Sequence, residues 1–146
     1  MKVEKSIEIS AAPDKIWSLM ANPEQVLKWY LPLQRFDYTG EQKGGVGAPL
    51  YFEEKAGGRV MKFDCVITEW VENEKLAFKM VSGNMAKSYE ERWTIDTTPS
   101  GSMFTFMEQM DLGYWIFGKV LVPIVKLASG STIKKMLAEL KRLAEV

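Results

Sequence analysis

At 146 residues, with a single cysteine (Cys65) and therefore no intrachain disulfide, the chain fits one domain, residues 1–146, and a chain of this size buries roughly 70% of the surface its unfolded form exposes. Nineteen basic and nineteen acidic residues give a formal net charge of zero, so no overall field draws nucleic acid or an anionic membrane to it. Histidine is absent, which excludes Ser-His and Cys-His nucleophile pairs, His-ligated zinc and an imidazole proton shuttle; catalysis would have to use carboxylates, lysine, tyrosine or water.

Val3, Ile7 and Ile9 alternate with Glu4, Ser6 and Glu8, which predicts a half-buried strand over residues 2–10. The same stretch offers no signal-peptide core, so a cytoplasmic location is expected. Ala12-Pro13-Asp14 suits a helix start, with Ile16, Trp17, Leu19 and Met20 facing inward. Asn22-Pro23-Glu24-Gln25 repeats that signal and predicts a second short helix to about Trp29. Helices this short are not stable alone and must pack on a sheet.

From Leu33 onward strands alternate with turn residues. Residues 34–39 read as a weak strand, and the glycines of 44–47 as a flexible connector, since no helix and no Lys-Ser/Thr pair follows as in a phosphate loop. Gly57-Gly58, Glu72-Asn73-Glu74, Gly83-Asn84 and Thr98-Pro99-Ser100-Gly101 then mark the turns of an antiparallel meander over residues 50–112. A long helix is expected over 114–146. Its later half carries Ile133, Met136, Leu137, Leu140, Leu143 and Ala144 on one face, while 115–127 is apolar nearly all round. That run is shorter than the roughly 20 residues of a membrane span and holds two lysines and a proline, so no integral membrane association is expected. Pro123 is expected to kink the helix, and 128–131 to bend it again, with Ser131 available as a fresh N-cap.

Alternation also assigns faces. If the last turn closes between Thr97 and Ser102, Ile95 lies opposite Phe104, Trp93 opposite Phe106 and Glu91 opposite Glu108, all toward the helix. Leu76, Phe78 and Met80, and then Met61, Phe63, Cys65 and Ile67, share that inner face; Glu69 has the parity of Ile67. Two carboxyls opposed in an apolar concavity would form a protonated acid beside a carboxylate, able to do acid–base work. The plainer reading is a hydrated rim where each pairs with Arg35, Arg59 or a lysine. The nine methionines and the aromatic residues read either as ordinary core or as the wall of a gap beside the small residues Gly118 and Ser129.

This order of elements resembles the START-like, helix-grip superfamily, which includes polyketide cyclase/dehydrase and lipid-transport proteins and birch-pollen-type allergens. The resemblance rests on Val3-Glu4-Lys5-Ser6-Ile7-Glu8-Ile9, Ala11-Ala12-Pro13-Asp14-Lys15-Ile16-Trp17, Asn22-Pro23-Glu24 before Trp29, Ile67-Thr68-Glu69 ahead of Lys75-Leu76-Ala77-Phe78, and the closing Leu137-Ala138-Glu139-Leu140-Lys141-Arg142-Leu143-Ala144-Glu145. It covers essentially the whole chain and implies an α+β fold. In that fold a curved seven-stranded antiparallel sheet wraps a long C-terminal helix, with two short helices after the first strand.

The resemblance also implies a cavity between sheet and helix for a hydrophobic ligand such as a lipid, sterol, polyketide or quinone. Phe63, Phe78, Met80, Tyr89, Trp93, Phe104, Phe106, Met110, Trp115, Gly118 and Val122 are its expected wall. No cofactor or metal is implied, because the metal-dependent oxygenases of this fold need histidine ligands. The first functional expectation is a noncatalytic binder or carrier. The alternatives are a cyclase, dehydratase or isomerase using Glu91 and Glu108 with help from Tyr89 or Arg35, or an interaction module working through a patch at Ile116, Val120 and Ile124. Either a monomer or a homodimer is compatible with the pattern.

Overall fold

The computed structural model describes residues 1–113 and 122–146, with side chains for all of these except 122–124. Its elements are β1 (Lys2–Ile9), α1 (Pro13–Ala21), α2 (Pro23–Trp29), β2 (Leu33–Tyr38), β3 (Pro49–Ala56), β4 (Arg59–Val71), β5 (Lys75–Gly83), β6 (Ser88–Thr98), β7 (Gly101–Asp111) and α3 (Val122–Ala144). The strands form one antiparallel sheet in the order β1-β7-β6-β5-β4-β3-β2, so the meander runs from β2 to β7 and β1 returns to pair beside β7. This is the α+β helix-grip architecture that the order of elements predicts, with the sheet curled and α3 packed on its inner face.

The helix starts work as their residues require. Pro13 and Pro23 stand in the first turns of α1 and α2, where a missing N–H costs nothing. Asn22 caps α2, its Oδ1 accepting from the Glu24 N–H at 3.0 Å. Both helices bury their apolar faces against the sheet: Ile16, Met20, Val26 and Trp29 are inaccessible to solvent. The Trp29 indole N–H donates to the Leu19 carbonyl at 2.8 Å and so ties the two helices together.

The last hairpin has the predicted register: Glu91 lies opposite Glu108, Trp93 opposite Phe106 and Ile95 opposite Phe104. Its turn is pressed against the end of β1. Gly101 has φ +147°, and a Cβ there would stand 2.3 Å from the Ile9 carbonyl oxygen, so only glycine closes this corner without strain. Next to it, Ser102 Oγ donates to the Ala11 carbonyl at 2.8 Å.

Two expectations are corrected. Glu69 leaves the inner face because the β4–β5 register slips between Ile67 and Glu69. The bulge reverses the alternation, turning Trp70 inward against Trp17, ring centroids 5.2 Å apart, and Glu69 outward to accept from Arg92 Nε at 2.8 Å. Second, α3 runs unbroken through 128–131, so Ser131 is not an N-cap. Gly130 lies in the helix interior beside the Lys5 side chain of β1, where a Cβ would be 3.5 Å from Lys5 Cε. Pro123 is the second described residue of α3, and the turn before it, where the expected kink would fall, lies outside the described part. The glycine connector is an ordered loop: Gln42 Nε2 donates to the carbonyls of Gly44 and Val46, both at 2.9 Å, and Gly47 N–H donates to the Ile67 carbonyl at 2.9 Å.

α3 holds the sheet through its later half. Ile133, Met136, Leu137, Leu140 and Ala144 are buried, as their spacing predicts. Lys141 Nζ fastens the helix end to β1 by donating to the Glu8 carbonyl at 2.9 Å.

Candidate functional site

Between the earlier part of α3 and the open end of the sheet lies a cavity of about 690 Å³. Its walls come from five places: the β3–β4 hairpin (Glu54 to Met61), the end of β7 with its exit (Glu108, Met110, Leu112), the segment after α2 (Tyr30, Pro32), the turn between β5 and β6 (Met85), and α3 (Val125, Ala128, Ser129, Thr132, Ile133, Met136). Met85, from the turn between β5 and β6, adds a fourth methionine to Met61, Met110 and Met136. Unbranched thioether side chains adapt to differently shaped apolar surfaces, so this lining suits a ligand of variable outline.

A polar cluster stands on one side of this cavity. Strand alternation aims Glu91 and Glu108 from neighbouring strands at the same space, and they are 1% and 6% exposed. Glu91 is fully engaged: Tyr30 OH donates to its Oε2 at 3.0 Å, Tyr89 OH bonds the same oxygen, and the Trp93 indole N–H donates to Oε1 at 2.6 Å. The Tyr89 hydroxyl also lies 3.2 Å from Glu108 Oε2. A hydroxyl donates one proton. For both of its carboxyl contacts to be hydrogen bonds, one of the two carboxyls must carry a proton and donate it.

The electrostatics agree with that proton count. Burial raises the Glu91 pKa well above the ordinary carboxylate range, the Glu108 charge raises it further, and the Tyr89 and Trp93 donors pull it only part of the way back. Burial pushes Glu108 up to about 7, against the lowering effect of Tyr89, and pushes Glu54 up to about 8 with help from Glu108. Glu54 and Glu108 both line the cavity, whereas Glu91 lies behind Tyr89 and Tyr30. The arrangement is a carboxyl on a cavity wall, Glu108, connected through the Tyr89 hydroxyl to a second buried carboxyl, Glu91, with at least one proton held between the two. Among the described residues no group of three His, Cys, Asp or Glu could hold a metal ion.

The expected wall residues are not all in one place. Glu108 and Met110 line the cavity, and Tyr89 reaches its Glu108 wall. Phe63, Phe78, Trp93, Phe104 and Phe106 instead pack into a solid aromatic core, each at most 1% exposed, with Phe78 and Trp93 edge to face at 5.6 Å. These rings fill the inner face of the sheet and do not line the cavity. Met80 is half-buried against the same core. Trp115, Gly118 and the Val122 side chain lie outside the described residues, as do Ile116, Val120 and the Ile124 side chain. Arg35 is not near the carboxyls: it pairs with Asp37 at 2.9 Å and with Glu53 at 3.8 Å on the outer face.

Two members of the cluster escaped the sequence reading. Glu54 follows Leu50 and Phe52 at two-residue steps, so alternation alone would have turned it inward with them. Tyr30 caps the C-terminus of α2, outside any periodic pattern, and only the packing of α2 against the sheet brings its hydroxyl to Glu91.

A family model described as "Polyketide cyclase / dehydrase and lipid transport" matches residues 1–145. No curated protein matches the chain. Among solved structures, TTHA0849 from Thermus thermophilus has a TM-score of 0.84 at 17% identity, over 99% of this chain and 97% of that one. A START superfamily protein from Mycobacterium smegmatis has a TM-score of 0.80 at 19% identity, over 99% and 97%. The di-domain ARO/CYC BexL from the BE-7585A biosynthetic pathway has a TM-score of 0.78 at 15% identity, over 100% of this chain and 50% of that one. At these identities the likenesses establish the fold.

Proposed function

The chain belongs to the polyketide cyclase/dehydrase and lipid transport family, and from that premise we propose that it binds or carries a hydrophobic small molecule between the sheet and α3. The observation that carries this reading is the cavity of about 690 Å³ with its methionine and aliphatic walls. It lies beside a core of buried apolar and aromatic side chains. Each ligand methylene transferred into it would contribute about 0.8 kcal/mol, so a medium-length chain or a few fused rings suffices for useful affinity. The cytoplasm is the proposed site of action, with the protein a monomer or a homodimer. Among the described residues no helix is long and apolar enough to cross a membrane.

Native mass spectrometry of protein purified from its own host tests the proposal. A copurifying hydrophobic molecule of defined mass is the expected result. Absence of any such molecule, together with no response to fatty acids, quinones and flavonoids, would overturn it.

A second reading, a cyclase- or dehydratase-type enzyme free of metal and histidine, is favoured by one observation. Glu108 stands on the cavity wall and is linked through the Tyr89 hydroxyl to Glu91, a route by which a proton taken up at one carboxyl is replaced from the other. One structural neighbour, BexL, is a di-domain ARO/CYC, which is compatible with such chemistry. Unchanged turnover by Glu91→Gln and Glu108→Gln variants, with any substrate found, would eliminate it. The interaction-module reading requires a solid core without a pocket, and the cavity weighs against it.

A further inference from the structure

Beside the cavity, α3 meets β1 along an open groove of about 730 Å³. One helical stretch serves both spaces. Val125, Ala128, Ser129 and Thr132 line the cavity, while Lys126, Leu127, Gly130 and Lys134, at the intervening steps of the helix, line the groove. Lys2, Glu4 and Lys5 of β1 form its other side, and the Lys5 stem lies along α3, with Nζ 3.9 Å from where a Gly130 Cβ would stand.

Four lysines against one glutamate leave three positive charges in excess here, in a chain whose formal net charge is zero. Among the described residues Glu4 lies 4.0 Å from Lys2, and no salt bridge joins Lys5, Lys126 or Lys134 to an acid. Residues 114–124 contain no Asp or Glu, so no carboxylate from the stretch outside the described part balances the groove. Amid these lysines Leu127 is 78% exposed. The zero net charge removes long-range attraction to an anionic surface, but attraction at contact range depends on the local excess.

We propose that this groove docks the chain on an anionic lipid surface, with the lysines against the headgroups and Leu127 entering the interface. The use of such docking, which rests on the reading of the cavity as a hydrophobic-ligand site, is to set the cavity wall of α3 beside the membrane that stores the ligand. The lysines select the sign of the partner and Leu127 selects its class. Lysine heads gain from the negative surface potential of anionic lipid within a Debye length, roughly 8 Å at physiological salt. A leucine held in water among them gains only from a partner with an apolar layer under its charges, which a lipid surface has and a phosphate backbone lacks. Among its described residues the groove also offers no aromatic ring on which bases would stack.

Cosedimentation of the full chain with vesicles of phosphatidylcholine alone, and of phosphatidylcholine with about a third phosphatidylserine, tests this. Binding at least about tenfold tighter to the anionic vesicles is expected, weakening as salt rises to about 0.5 M. Lys126→Glu combined with Lys134→Glu should lower the affinity at least about twentyfold, since each lysine near an anionic surface contributes about fivefold. Leu127→Ser should lower it at least about threefold. Dodecanol binding in the cavity should be the same in these variants as in the unaltered chain. Should the double variant not fold, Leu127→Ser and the salt dependence of the unaltered chain still decide. Equal binding to the two kinds of vesicle, binding to neither, or tighter binding to a single-stranded oligonucleotide that Leu127→Ser leaves unchanged, overturns the proposal. The reading of the cavity falls separately, if dodecanol gives no response with the unaltered chain.

Discussion

Glu91 and Glu108 face each other across the β6–β7 ladder, and the hydroxyl of Tyr89 bonds to both. An antiparallel pair of like charges is ordinarily destabilising. Here the pair persists because Tyr30, Tyr89 and Trp93 surround Glu91 with donors and because the cluster retains at least one proton. The rest of the inner face is aromatic packing that fixes these groups in place, while the methionine-lined space beside Glu108 is left open.

Stability is expected to fall as pH rises from about 5 to about 8. The folded-state pKa values of Glu54, Glu91 and Glu108 are all raised, chiefly by burial. The folded chain therefore binds more protons than the unfolded one in this range, and stability present below the ordinary carboxylate pKa is lost as each folded value is passed. The slope is about 1.4 kcal/mol per pH unit for each proton of difference. Urea midpoints across this range measure it. Glu54→Gln and Glu108→Gln should flatten the curve, and a rising curve would contradict the assignment.

Tyr89→Phe removes the hydroxyl that joins the two carboxyls. The expected cost is about 2 kcal/mol, the range for a buried hydrogen bond to a charged group. Glu108 also loses the donor that lowers its pKa, so its titration should move above about 7. Carboxyl NMR titration of Glu108 reads the second effect separately from the first.

Gly101→Ala should destabilise the fold by more than the usual glycine-to-alanine gain of about 0.4–1 kcal/mol. The new methyl would meet the Ile9 carbonyl oxygen at 2.3 Å, at a φ of +147° that alanine avoids. Thermal unfolding of the variant gives the answer.

Gly130→Ala should have the opposite sign. Gly130 is inside α3, and an added Cβ would make an ordinary contact with Lys5 Cε at 3.5 Å. Replacing a helix-interior glycine then stabilises by about 0.5–1 kcal/mol. A lower urea midpoint would mean that β1 and α3 need a closer approach here than the distance indicates.

Much of this was legible in the residues. Alternation in residues 89–95 and 104–108, with a turn at 98–101, fixes the register that sets Glu91 against Glu108, because a one-residue slip would split Trp93 from Phe106. Periodicity also identifies the buried stripe of α3 from Ile133 to Ala144. What it does not resolve is whether an apolar face is filled. Phe63, Phe78, Trp93, Phe104 and Phe106 and the methionines are equally apolar, and only their volumes, once packed, separate core from cavity wall. The Glu69 error has a different source, since one bulge in β4 inverts the parity on which the assignment rested. Tyr30 was out of reach for a third reason, being brought to Glu91 by tertiary packing alone.

Methionine-methyl NMR spectra recorded during a titration with dodecanol test the central claim, a hydrophobic-ligand cavity beside Glu108, most directly. Saturable shifts at Met61, Met85, Met110 and Met136, with Met20, inaccessible beneath the α1 face, unmoved, are the result expected. No saturable shift at those four methyls, or shifts confined to methionines elsewhere, would contradict it.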